Sequence, residues 1–549
     1  MKVMFNGFEM PRTFKAYNQL QSILQALVII GLIAFVVDYI TLPAYNFHDI
    51  GFITLLVIYL FLFGTLYSAF SHRFDIIVRG SYFLGSILIL FMLIMSLLSS
   101  EFLNAGRYRD QIVIKSSSDF SSEFDVIDLK KIPLVDQKTA QRLGDKQIGR
   151  VQGLGSQFDI NDDYLLINIK DSVYRVAPLE YQDFYKWLQN RDRGVPSYVS
   201  VNVNDSTDVE LIDLSLGMKY VPSAFFNEDL LRHVRFSYRT EIFESLNFEI
   251  DDEGNPYYIL TYKEPTIGWF GGWDTTGIIV VDAVSGNMNK YSIQDIPDWV
   301  DHVQSANLAW YQIDNWGYYV NGWFNTLFGQ KEMIQTTDGF NYVSIDGKIY
   351  IFSGLTSVGS DRSIVGFALI NLSTREATYI KIGGADELSS MNSAIGQVQH
   401  LNYSSTFPIL INVEGLPTYF MSLKDNEGLV KLYAMVSVQD YSIVGVGATV
   451  DDTKSSYVGQ LLEKKLISGV IFDKIEISGT ISSIVSTIIN GTTYYYFTLE
   501  DNSNLFIASS QLSLELALTG EMDSVRLEVN PIKDNVMEVN GFDNLNYNY

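Results

Sequence analysis

Three apolar runs, Ile23 to Ile40, Gly51 to Phe70 and Tyr82 to Leu98, fall within the first hundred of 549 residues, and nothing comparable follows them. A helix rises about 1.5 Å per residue, so each run is long enough to cross a hydrocarbon core of about 30 Å. The expected plan is an α-helical membrane anchor of three transmembrane helices (1–99), with the lipid bilayer as a partner, carrying one large domain. Lys2, Arg12 and Lys15 precede the first run, the loop 41–50 has no Lys or Arg, and the next loop holds Arg73 and Arg79. Positive charge is retained in the cytoplasm, so the N-terminus is expected inside and residues 100–549 extracytoplasmic, in a multi-pass protein of the cell membrane.

Acidic side chains outnumber basic ones by 63 to 38, for a net charge of −25. Such a surface repels phosphate backbones, so no nucleic-acid partner is expected. The absence of cysteine excludes disulfides, thiolate metal sites and a Cys nucleophile.

Beyond the anchor the reading divides into a stalk with a short helix (100–155), an α+β region of two tandem units (156–300), an α+β domain (301–450), and a linking helix with a small β-barrel (451–549). Short β-type runs recur from Phe158 to Val436, among them Tyr164–Ile169, Tyr257–Tyr262, Ile364–Ile370 and Pro408–Val413. Helical patterns are read at Pro178–Asn190, Ala224–His233 and Glu387–Gln397. This irregular alternation predicts α+β domains with antiparallel sheets. Asp346-Gly347 and Asn490-Gly491 are hairpin-turn chemistry. Evenly spaced strands after Ile475 predict an OB- or SH3-like barrel. No Lys or Arg stands between Ile475 and Val525, so it lacks a groove for phosphates.

The stretch from Phe248 to Pro265, followed by Thr275 to Ile293, resembles the PepSY-type module, with Val281, Asp282, Ala283, Ser285 and Gly286 matching its turn. Val195 to Leu214 is a weaker echo. The resemblance implies a small α+β unit of exported bacterial proteins, used for binding or inhibition, and brings no catalytic residues. The whole plan also resembles uncharacterised bacterial membrane proteins.

Chemistry-bearing patterns are sparse. The five histidines lack metal-binding spacing. Ser357 stands three residues after Gly354, one too many for a nucleophile elbow. Asp159, Asp162 and Asp163 are a weak calcium candidate without the twelve-residue loop and its terminal Glu, and no cofactor is expected. Six of seven tryptophans lie between Trp269 and Trp323. Trp269 and Trp273, placed on a loop by Gly271, Gly272 and Asp274, are candidate binding residues with Trp323, because exposed rings stack on sugars or anchor protein partners. The expected function is a non-enzymatic binding or scaffolding module of the cell envelope, with an envelope protein or glycan as partner, in a homo- or hetero-oligomer through the transmembrane helices. The alternative is an envelope enzyme acting on glycan through paired carboxylates, with Asp361, Asp386, Glu387 and Asp425 as candidates and Arg362 and Lys424 beside them.

Overall fold

The computed structural model describes residues 12–117, 120–122, 124, 126, 132–170, 172–359, 363–467, 475–489, 492–500, 502–510, 512–533 and 535–547. Asp361, Arg362 and the Asn490-Gly491 turn lie outside them. The chain divides into two compact units, Met1–Gln460 and Leu461–Tyr549.

The first unit begins with α1 (Arg12–Thr41), α2 (Ile50–Ser71) and α3 (Ile76–Leu98). Among the described residues these three helices are long and apolar enough to cross a membrane. Asp49 and Asp75 cap α2 and α3 by accepting from Gly51 N and Ile77 N, which satisfies donors that a helix start leaves open. Gly64 and Gly85 face the rings of Tyr82 and Phe61 across the α2–α3 contact, and a Cβ at either would crowd those rings. Small residues let two such helices approach closely. Gly80 faces open space.

Residues 101–155, read from the sequence as a stalk with one helix, hold α4 (Glu101–Arg109), β1 (Ile114–Ser117) and α5 (Gln137–Ile148). From α5 onward one pattern recurs four times among the described residues: a helix, then four strands in an antiparallel meander. The first meander is β3 (Leu165–Ile169), β4 (Ser172–Tyr181), β5 (Val195–Asn202) and β6 (Val209–Met218), with β2 (Phe158–Ile160) beside β4 and α6 (Phe184–Asn190) between β4 and β5. The second is α7 (Leu230–Ser237) with β7 (Ile242–Ile250), β8 (Pro256–Ile267), β9 (Gly271–Asp282) and β10 (Met288–Ser292). The third is α8 (Ala306–Tyr318), β11 (Ile334–Thr336), β12 (Asn341–Ile345), β13 (Lys348–Ser357), β14 (Ser363–Asn371) and β15 (Ala377–Ile380), with β16 (Gly384–Ala385) on β14. The fourth is α9 (Glu387–Gln397), β17 (Ser404–Ser405), β18 (Ile409–Val413), β19 (Leu416–Lys424), β20 (Val430–Ser437) and β21 (Val444–Gly447), closed by α10 (Val450–Glu463).

The repeat shares details. In the first, third and fourth meanders a short strand (β2, β11 or β17) precedes the first full strand and pairs with the far end of the long second one. The β12–β13 and β18–β19 hairpins turn through Asp346-Gly347 and Glu414-Gly415, all four at positive φ, the geometry whose twist matches flanking strands. The Asp282 carboxylate accepts from Val284 N and Ser285 N at 2.9 and 3.1 Å, and Gly286, at φ +76°, closes the turn. Asn371 does the same for Ser373 N and Thr374 N, both at 2.9 Å, with Arg375 at φ +67°. Where the sequence reads helix at Pro178–Asn190, Pro178–Tyr181 instead extend β4, because Pro178, Leu179 and Tyr181 bury into the sheet; Ala224–His233 yields a 3-10 turn at Phe226–Glu228 and the start of α7. Trp273 lies on β9, not on a loop: β8 and β9 are long enough for Pro265 to pair with Trp273.

The first two meanders share one core, which includes Val176, Trp187, Val199, Leu230, Leu260 and Ile279. The third packs its sheet on Ile112, Leu166, Val203, Ala309 and Ile313. β1 pairs in parallel with β15, Ile114 opposite Ala377.

The second unit is a closed barrel of β22 (Ile475–Ile489), β23 (Thr492–Leu499), β24 (Asn502–Ser509), β25 (Ser524–Lys533) and β26 (Val536–Asn544), in the order β22-β23-β24-β26-β25. β24 and β26 are parallel and the other pairs antiparallel. Ile481, Phe497, Phe506, Leu527 and Val529 fill its interior.

Candidate functional site

The residues first considered for carboxylate chemistry hold structure. Asp386 caps α9 through Ser389 N at 2.7 Å. Glu387 is buried and accepts from Gly354 N at 2.7 Å; burial pushes its carboxyl up. Asp425 closes the β19–β20 turn through Glu427 N and Leu429 N, and Lys424 is spent on Asp136 at 2.5 Å.

The tryptophans disperse. Trp269 donates from its indole to Phe47 O at 2.7 Å and packs on His48 and Phe91, joining the β8–β9 end to the helix bundle. Trp273 lies under Lys263 Nζ, and Trp323 meets Phe102 edge-on. Of the calcium candidates, Asp159 accepts from Gln182 at 2.8 Å, Asp162 offers its carbonyl to Gln137 and Gln141, and Asp163 turns to a cavity. Among the described residues no three His, Asp or Glu side chains gather as a metal site.

That cavity, about 440 Å³, lies where the first three meanders meet. β4 contributes Arg175 and Glu180, the β2–β3 loop Asn161 and Asp163, β7 Ser245 and Asn247, β8 Tyr258, and the strand-to-helix link before α8 His302, Gln304 and Ser305; Phe340 and Tyr342 form an aromatic wall. The loop is ordered by Asn161, which donates to Glu180 Oε1 at 2.7 Å and accepts from Asp163 N at 2.7 Å. Glu180 and Asp163 thus stand on the same stretch of wall. Ser245 Oγ and the Tyr258 hydroxyl are buried without a hydrogen-bond partner among the described residues. A buried unpaired hydroxyl costs about 1–3 kcal/mol, so a ligand that supplied partners would recover it. Burial, and then the charge of Glu180, push the Tyr258 phenol far above its ordinary range, keeping it a proton donor.

Arg175 is fully buried, which lowers its pKa to about 10, and donates to Val135 O and Tyr164 O. It fixes the floor rather than offering a free cation. His302 donates through Nε2 to Leu166 O at 2.7 Å; burial lowers its pKa to about 4, so the ring is neutral. Behind it Glu249 accepts from Asp301 N and His302 N at 2.8 and 3.0 Å, and Asp301 accepts from Asn168 N at 2.6 Å. Burial raises both carboxyls, that of Glu249 further because Asp301 is adjacent. Of these wall residues the sequence marks only Asp163, as a calcium candidate and not for carboxylate chemistry, and Gln137 and Tyr342 lie 205 positions apart. The one local signal is Asp301-His302 set between the buried Val300 and Val303.

No family model matches the chain, and no curated protein does. Solved structures similar to it include the GH32 β-fructofuranosidase BmSUC1 of Bombyx mori, in a mutant bound to sucrose (11% identity, 74% of this chain and 70% of that one, TM-score 0.18). The GH43 protein BlXynB of Bacillus licheniformis follows at 12% identity, 70% and 55% coverage and TM-score 0.17, then a B. megaterium levansucrase mutant at 9%, 77%, 97% and 0.16. By name a β-fructofuranosidase and a levansucrase, these neighbours stand with the alternative, a glycan enzyme, and not with the expected non-enzymatic scaffold. At such TM-scores they supply neither a fold nor residue correspondences.

Proposed function

We propose that the chain is a membrane-anchored enzyme acting on glycan, with the three-meander cavity as its active site and Glu180 and Asp163 as its carboxylate pair. The observation that carries this reading is the wall itself: the Glu180 carboxylate held by Asn161, which also takes the Asp163 backbone N–H and so sets Asp163 on the same wall, beside unpaired hydroxyls, amides and aromatic rings. Amides, hydroxyls and ring faces are the groups that bind sugars, and glycoside hydrolysis takes two carboxyl groups flanking the scissile bond. One protonates the leaving oxygen while the other attacks the anomeric carbon or activates water. The Tyr258 hydroxyl is placed to donate to a sugar oxygen next to Glu180.

The anchor reading is supported by the length of α1–α3 and by the domain's contacts with both the 42–49 loop and the end of α3, which lie at one end of the bundle. The PepSY-like reading is supported by α7, β7, β8, β9 and the Asp282–Gly286 turn in that order. An OB-like barrel is supported over an SH3-like one by the parallel β24–β26 pairing.

The test is release of reducing ends from a panel of soluble bacterial glycans by the detergent-solubilised full chain. Glu180→Gln and Asp163→Asn are each expected to lower the rate by roughly 10² to 10⁴-fold, with folding unchanged by circular dichroism. No release from any glycan, or variants as fast as wild type, sinks the reading.

A further inference from the structure

The segment that follows α8 carries a cluster of exposed apolar side chains outside the three long helices. Phe324, Leu327 and Phe328 are 63, 55 and 83% exposed, on a single wide turn, Asn325–Gly329. Among the described residues they are left largely open, yet their position is fixed. Asn325 donates to Lys331 O at 3.0 Å and accepts from Lys331 N at 3.1 Å, while Asn321 donates to the same carbonyl. Two asparagines therefore close the neck of the loop and push its apolar tip outward.

The tip's height relative to the bundle is also fixed. Phe102 stands four residues beyond the end of α3, and its ring meets Trp323 at 4.8 Å and Phe324 at 5.9 Å. Tyr311 on α8 donates to Glu101 at 2.7 Å and holds the two elements together. Phe102 and Leu103 are themselves about half exposed. The exposed apolar surface that ends α3 at Leu97 and Leu98 is taken up again, past Ser99, Ser100 and Glu101, by Phe102, Leu103 and the 324–328 tip, with Lys331 and Glu332 next on the polar side.

We propose that the 324–328 loop is a membrane wedge, with Phe324, Leu327 and Phe328 buried in the headgroup and upper acyl region of the same bilayer that α1–α3 cross. The occupant is lipid because the patch continues a span's lipid-facing surface at the depth where aromatic side chains favour the interface. The proposal rests on the anchor reading. With the wedge inserted, the domain is held at a second point and the mouth of its cavity keeps a constant height above the lipid.

The chain has no cysteine, so single-cysteine variants of the full protein can be labelled with NBD and reconstituted in phosphatidylcholine vesicles with or without doxyl-labelled acyl chains. Three exposed positions are compared: Phe328→Cys at the tip, Leu93→Cys on α3, and Leu429→Cys on the β19–β20 turn. The expected result is blue-shifted emission, loss of emission with doxyl lipid and protection from iodide at positions 328 and 93, and iodide quenching at 429. Loss with doxyl lipid at 93 but iodide quenching at 328 overturns the wedge and leaves the anchor standing. Protection from iodide at 328 without loss in doxyl lipid means a protein surface, such as a second copy, covers the tip, and also overturns it. No loss at 93 removes the anchor and the wedge with it.

Discussion

Asp301 and Glu249 share a buried site with His302, and the three groups impose opposite pH dependences. A carboxyl raised by burial keeps its proton in the folded chain after the unfolded chain has lost it. Stability from that source is full below about pH 4 and drains away as pH rises into the neutral range. His302 is depressed to about 4, so its contribution is full above about 6.5, the ordinary histidine value, and is lost as pH falls through 4. Well above 6.5 the histidine is neutral in both states, so of these three groups only the carboxyls contribute to a falling melting temperature there. Asp301→Asn retains an acceptor for Asn168 N and removes one charge. It is expected to flatten the fall between pH 6.5 and 8 in thermal melts; an unchanged slope would place that pH dependence elsewhere.

Among elements, the third-to-fourth-strand turns test the repeat. Gly286 is at φ +76°, and a Cβ there would stand 2.4 Å from the Tyr220 ring. Gly286→Val is expected to destabilise the second meander by roughly 1 to 3 kcal/mol from backbone strain, and more through the clash, read as a lowered melting temperature of the full chain. A wild-type melt would mean the turn does not hold this hairpin. Such turns were legible, as were the three long helices, Asp346-Gly347 and most barrel strands, because each is written in consecutive residues. The fourfold repeat was not. Its marker strands β2, β11 and β17 span three residues or fewer, too short to show alternation, and the turns share a geometry built from Asp-Gly in one case and Asn-Arg in the other. α8 is not legible in the sequence because its buried face pairs Leu308 with the polar Gln312 and Asn315, which breaks the apolar spacing of a core-facing helix. The cavity was illegible for a different reason: its walls come from separate repeats, and each polar residue alone reads as a turn or a strand's outward face.

At the scale of the whole molecule, the orientation inferred from Arg73 and Arg79 makes a direct prediction. Protease added to intact protoplasts should cut within the domain after Ser99 and spare the 71–75 loop; the reverse pattern would put the domain in the cytoplasm. The order of assembly follows from β1. Its partner β15 lies roughly 260 residues downstream, and two complete meanders fold in between. At synthesis rates of about 5–20 residues per second, β1 is made tens of seconds before its edge exists. For that interval Ile114–Ser117 is an extended segment with open donors and acceptors, tethered to α1–α3. The final fastening of the domain to its anchor is therefore a late event in biogenesis, and a ribosome stalled before Ala377 would leave the first two meanders built on a strand still free to pair with a neighbour.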